Sequence, residues 1–231
     1  MRAAQLGWVL AWALAFALIF VGAGLGQTGS HPGPRFEVDF TNPGLSPQHW
    51  TLTLWRDGSG HFISERGNAP VKGIENLEAP SVDRDVRVSA EFAESVFQAA
   101  FRHSLFNEAC ESRMKVAFTG WKKLSYSGPE GKGSCTFNFS KDKEIEELGD
   151  RLVAVAGTII EGARLEALLQ HDPLGLDKEI EYLVEAAGDG RAQEIVAIRG
   201  ILQRLADDEG VMDRVRRRAR VLLARADGPA G

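Results

Sequence analysis

Apolar and polar residues alternate strictly over residues 35–40, with Phe36, Val38 and Phe40 on one side and Arg35, Glu37 and Asp39 on the other. A period of two predicts a half-buried strand. The stretches 51–55 and 61–64 alternate in the same way. They flank Arg56-Asp57-Gly58-Ser59-Gly60, where glycine supplies the positive φ of a tight turn, so the pair predicts a hairpin. Residues 65–85, interrupted by Pro70 and Pro80, have no clean period and are expected to be loop with at most one short strand; Val86 and Val88 then alternate in another. At Ser89 the period changes. Phe92, Val96, Phe97, Ala100, Phe101 and Leu105 recur at three and four, which predicts a helix capped by Ser89 and running to about Phe106, its apolar stripe packed on a sheet. A second hairpin is expected from residues 116–127, a turn over 128–133 and a strand over 134–139, in which Cys135, Phe137 and Phe139 share a face.

From Lys141 onward the strand pattern stops. Ile145, Leu148, Leu152, Val155 and Ile159 fall at alternating three and four, and beside them Gly149, Ala156 and Ala163 form a stripe along which a neighbour can approach closely. Three shorter helices are expected at about 176–187, 191–206 and 209–226. Their connections are short enough to make them antiparallel neighbours. In the last helix Val211, Met212, Val215, Ala219, Leu222, Leu223 and Ala226 fall within an arc of about 120°, and every arginine lies outside it. The acids Asp207, Asp208 and Glu209 at its start and Arg220 and Arg225 toward its end match the helix dipole. The fold class is therefore α+β: antiparallel β-hairpins packed on one helix, followed by an antiparallel α-helical tail.

The amino terminus changes where such a fold would work. After Arg2 no charged side chain appears through Ser30, and residues 6–25 are apolar apart from glycines. A positive start, an apolar core and then small residues is the order of a secretory signal peptide, whose core runs about 7 to 15 residues; an uninterrupted run of roughly 20 also spans a bilayer as an anchor. Either way, the rest of the chain is expected beyond the membrane, with Arg2 inside. The organisation read from the chain is a signal peptide or N-terminal membrane anchor over 1–26, a linker over 27–34 rich in glycine and proline, an α+β domain over 35–140, a helical domain over 141–226, and a disordered C-terminus over 227–231.

Two cysteines, Cys110 and Cys135, both fall in the exported part. In an oxidising compartment an isolated pair is a candidate disulfide, with two buried free thiols as the alternative; the C-x-x-C spacing of a redox-active pair is absent. With 27 basic and 32 acidic residues, the net charge of −5 argues against nucleic-acid binding.

The histidines, His31, His49, His61, His103 and His171, are scattered with no H-x-x-x-H or H-E-x-x-H spacing, so no metal site and no cofactor is expected. His171-Asp172, ahead of Pro173, reads as the end of a helix. Neither the glycine-rich 128–134 segment nor 57–60 has the order of a phosphate loop or a calcium loop. The densest patch of one sign is the arginine run of the last helix, and Arg214, Arg217, Arg218 and Arg225 are candidates for binding an anionic partner through bidentate contacts. Acids outnumber bases in the tail, so neutralisation by neighbouring helices is the competing expectation.

Residues 208–226, with Val-Arg-Arg-Arg-Ala-Arg-Val-Leu-Leu at 215–223, resemble the second half of a HEAT-type helical repeat, which implies a stacked helical hairpin used for protein contacts. The chain as a whole resembles uncharacterised exported bacterial proteins that join a small α+β module to a helical tail, and that resemblance implies no activity. The expected function is a non-catalytic cell-envelope module that binds another envelope protein, and the membrane as well if the leader is retained. The alternative is an envelope hydrolase whose site is assembled from scattered His, Ser and acidic residues.

Overall fold

The computed structural model describes residues 33–65 and 80–228. The expected leader, the linker as far as residue 32, residues 66–79 and the last three residues lie outside them. Among the described residues no helix is long and apolar enough to cross a membrane. Pro32–Gly231 forms one compact unit.

Six strands make one sheet: β1 (Arg35–Thr41), β2 (His49–Trp55), β3 (Ser59–Ser64), β4 (Val82–Arg87), β5 (Trp121–Gly128) and β6 (Gly131–Phe137). Their order is β4-β3-β2-β1-β5-β6, every neighbour antiparallel. The period of two in the sequence becomes the two faces of this sheet. Phe36, Val38, Phe40, Trp50, Leu52, Leu54, Phe62, Leu124, Tyr126 and Phe137 are all buried on the inner face. Fully burying side chains of this size contributes about 1.5 to 3 kcal/mol each, which is why the register admits no one-residue slip.

Helices α1 (Ala90–Arg102) and α2 (Lys143–His171) contribute to the core on that inner face. Ser89 caps α1 as expected, its Oγ accepting from Phe92 N at 3.1 Å. The helix stops at Arg102, short of the expected Phe106, because His103 N closes on Ala99 O and Ser104, Leu105 and Phe106 all take positive φ. That bend turns Phe106 inward against Phe36, with ring centroids 5.9 Å apart. Gly149 on α2 allows the close approach its sequence stripe implied, since a Cβ there would meet Lys122 Cδ at 2.7 Å and the Phe137 ring at 2.9 Å.

The other three helices are α3 (Leu176–Gly188), α4 (Arg199–Asp207) and α5 (Asp213–Asp227). Leu176, Ile180, Leu183, Ile198, Leu202, Leu205, Val215, Ala219 and Leu222 form their own core. The 29-residue α2 joins the two cores: its apolar positions through Ala163 belong to the first and Leu165 to the second. The expected helix over 191–206 starts only at Arg199. Ahead of it Glu194 adopts a left-handed φ of 54° and residues 195–198 form a short 3-10 turn.

Other departures from the sequence reading are local. The strand expected at Val86 and Val88 spans Val82–Arg87, with Val82 and Val86 inward and Asp83 and Asp85 outward. The second hairpin is shorter than expected, and residues 116–120 and 138–139 lie outside the sheet.

Candidate interaction surface

Cys110 and Cys135 form a disulfide with Cα atoms 5.7 Å apart, inside the range such bonds occupy. It fastens the start of an extended segment, residues 107–120, to β6. The far end is held by Asn138. Its Oδ1 accepts from Thr119 N at 2.8 Å and Gly120 N at 3.3 Å, and its Nδ2 donates to Ala117 O at 3.1 Å. Glu111 accepts from Asn138 N at 2.7 Å, and that hydrogen bond from the amide holds the carboxyl below its ordinary range. Between these anchors residues 113–119 are all exposed.

This span carries apolar side chains where a loop normally carries polar ones. Met114 is 53% exposed, Val116 40%, Phe118 50% and Trp121, just beyond it, 45%. Phe118 and Trp121 meet edge to face at 5.9 Å. They do so because Gly120, at φ 126°, turns the chain; any Cβ there would strike the Phe40 ring. Leu45, 45% exposed, belongs to the neighbouring 42–48 loop, which is tied on by Asn42 Nδ2 donating to Thr119 O at 2.9 Å. The result is an apolar ridge at the start of β5, anchored on one side by the cystine and on the other by Asn138. The exposed bases Arg113, Lys115 and Lys123 flank it, and none of the three has an ion-pair partner among the described residues.

The outer sheet face continues from the ridge. Trp121 lies in register with Thr41, which faces His49; inward from them come Asp39, Thr51, Glu37, Thr53 and Ser125. No described element covers this face, and its residues are half-buried or exposed.

The arginine candidates of α5 are mostly engaged. Arg214 reaches Asp177 at 2.7 Å; Arg218 reaches Asp177 at 2.7 Å and Glu181 at 2.6 Å; Arg217 pairs with Asp213. Arg225 stands apart with no carboxylate partner among the described residues, at a cleft beside Gly188 and Ala226.

Among the described residues the histidines are distributed singly. His49 faces Asp39 at 3.2 Å, His61 bridges Asp83 at 3.1 Å and Asp85 at 2.8 Å, and His103 is buried between Glu108 at 2.8 Å and Glu144 at 3.1 Å. Burial alone would lower the His103 pKa, but the hydrogen bonds to Glu108 and Glu144 outweigh it and raise it. Among the described residues no group of three or more His, Cys, Asp or Glu is arranged to hold a metal ion.

The sequence places Val116 and Phe118 in the first strand of the second hairpin, and the structure leaves both outside the sheet. Gly120, with its positive φ of 126°, ends their alternation before β5 begins at Trp121. Comparison with protein-family models and with curated proteins finds no match for this chain.

Proposed function

We propose that this chain is an exported or membrane-tethered cell-envelope protein that works without catalysis, by binding another protein. The observation that carries the reading is the ridge of Met114, Val116, Phe118 and Trp121, exposed between its anchors at Cys110 and Asn138. Aromatic residues and Met are enriched at protein contacts, and a pre-ordered segment loses little entropy on binding. The unpaired Arg113, Lys115 and Lys123 favour a partner with an apolar patch rimmed by carboxylates. The cystine and the apolar leader support work in an oxidising compartment outside the cytoplasm.

The test is chemical crosslinking in intact cells, comparing the native chain with Phe118→Asp and Trp121→Ser. Because both side chains are about half exposed, the variants should melt within a few degrees of the native chain. An aromatic anchor is worth about 2 kcal/mol, so each variant should weaken a specific complex roughly 30-fold. Complexes recovered in equal yield from both variants would overturn the proposal.

A further inference from the structure

A second feature belongs to the helices. A cleft of about 1080 Å³ opens between the first turn of α1, Arg151 of α2, the C-terminal end of α3, the 190–196 segment and the end of α5. That is room for a small organic molecule. Much of the wall is apolar: Phe92, Ala187, Ala192, Ile195, Val196 and Ala226.

Two guanidinium groups line the same space. Arg151 lies over the Phe92 ring at 4.9 Å, and its hydrogen bond to Ser95 Oγ is a long one of 3.5 Å. Arg225 has no carboxylate partner among the described residues, in contrast to Arg214, Arg217 and Arg218 on the same helix. Two carboxylates also line the cleft, Glu91 and Glu194. Glu194 is already committed, accepting from Ser89 N at 2.6 Å and Ser89 Oγ at 3.0 Å, where the N-terminus of α1 offsets its charge. Among the described residues Glu91 is the one lining carboxylate left, against two lining cations.

The wall is also held in place. Glu194 keeps its left-handed backbone while spanning from the helices to α1, and Ala192 N donates to Ala186 O at 2.9 Å. A non-glycine residue persists in that conformation only where its surroundings over-determine it.

We infer that this cleft binds an organic anion with an apolar body, the acid group held by Arg151 and Arg225 and the body lying against the Phe92 and Ile195 side. Planar guanidinium groups suit carboxylate, sulfonate and phosphate alike. The inference is independent of the ridge and of any protein partner.

The experiment uses residues 32–231, the compact unit that contains both hydrophobic cores and the disulfide. The probe is 8-anilinonaphthalene-1-sulfonate, with N-phenyl-1-naphthylamine as its uncharged counterpart, both followed by fluorescence. One saturable site for the sulfonate is expected, weakened about tenfold by Arg225→Gln and about a hundredfold by the Arg151→Gln, Arg225→Gln pair, because each substitution removes roughly one charge-assisted hydrogen bond to the acid group. Arg225 is exposed, so its variant should fold normally; Arg151→Lys keeps a cation there if Arg151→Gln does not fold. The Phe118→Asp variant should bind the probe like the native chain. Non-saturable binding, equal affinity for the uncharged counterpart, unchanged affinity in Arg225→Gln, or loss of the site in Phe118→Asp would each overturn the inference.

Discussion

The sheet region and the helical region bury charge in different ways. Around the sheet, Lys122 is the buried lysine among the described residues, and its Nζ lies over the Phe137 ring at 5.3 Å, donates to Asn138 O at 3.2 Å and reaches the exposed Asp150 at 3.7 Å. The ammonium stays buried, and only its carboxylate partner Asp150 reaches solvent. Between α2 and α3, Arg164 instead sits largely buried and donates to Glu161 at 2.8 Å and Glu179 at 3.0 Å. Arg164 Nε and Glu161 Oε2 have no hydrogen-bond partner there. A buried group of this kind is poor evidence for stability, yet removing one member leaves the others without compensation. The two regions should therefore respond very differently to loss of one charge.

The largest effect is expected at Arg164. Arg164→Ala leaves Glu179 facing the α2–α3 contact without its cation and should cost about 3 kcal/mol or more in chemical unfolding. Replacing Glu161, Arg164 and Glu179 together by Leu, Met and Leu should recover most of that loss, because the desolvation cost disappears with the charges. Arg217→Gln, which removes an exposed pair with Asp213, should change stability by less than about 0.5 kcal/mol. A cost at Arg217 as large as that at Arg164 would abolish the distinction.

The sheet region should be sensitive at its crosslink. The cystine closes a loop with a sequence separation of 25, worth about 3 kcal/mol in the chain-entropy model. Cys110→Ser with Cys135→Ser should lose up to that amount and raise amide exchange over residues 107–120, while leaving exchange in α3 and α5 nearly unchanged. Equal deprotection of both regions would show that they open as one unit.

Much of this contrast is not written in the local pattern of residues. The inward alternation of Phe36, Val38 and Phe40, the Ser89 cap and the stripe from Ile145 to Ile159 were legible because each is set by neighbours within a turn or a strand. Glu161 and Arg164 have the i, i+3 spacing that exposed pairs also have, and only the packing of α3, which brings in Glu179, buries them. The ridge was hidden for a related reason, since Phe118 and Trp121 share a surface through the turn at Gly120 and not through a period. The cleft draws residues from five separated segments, so no local motif announces it. The α5 arginines were conspicuous as a run, but Asp177 and Glu181 of α3 determine what Arg214 and Arg218 do.

A graded effect should follow pH. Burial and a hydrogen bond with Glu179 push the Glu161 carboxyl up to about 8. For Glu179, burial would act the same way, but hydrogen bonds from Glu161 and Arg164 outweigh it and hold it below its ordinary value. The pair thus shares a proton, which stays on Glu161 and lets its carboxyl donate toward Glu179. A folded pKa above the unfolded one means that the folded state keeps a proton the unfolded chain has released. Stability from Glu161 is therefore complete below the ordinary carboxylate range, declines as pH rises and is gone above about 8. Glu179 contributes the opposite slope, losing stability only as pH falls below the ordinary range. Glu161→Gln stays neutral in both states and keeps a donor toward Glu179, so it should remove the decline between about pH 5 and 8 and outlast the native chain at pH 8 and above. Stability curves that run parallel for the two proteins across that interval would show that the proton is not held at Glu161 and would return the α2–α3 contact to the same class as the exposed pairs on α5.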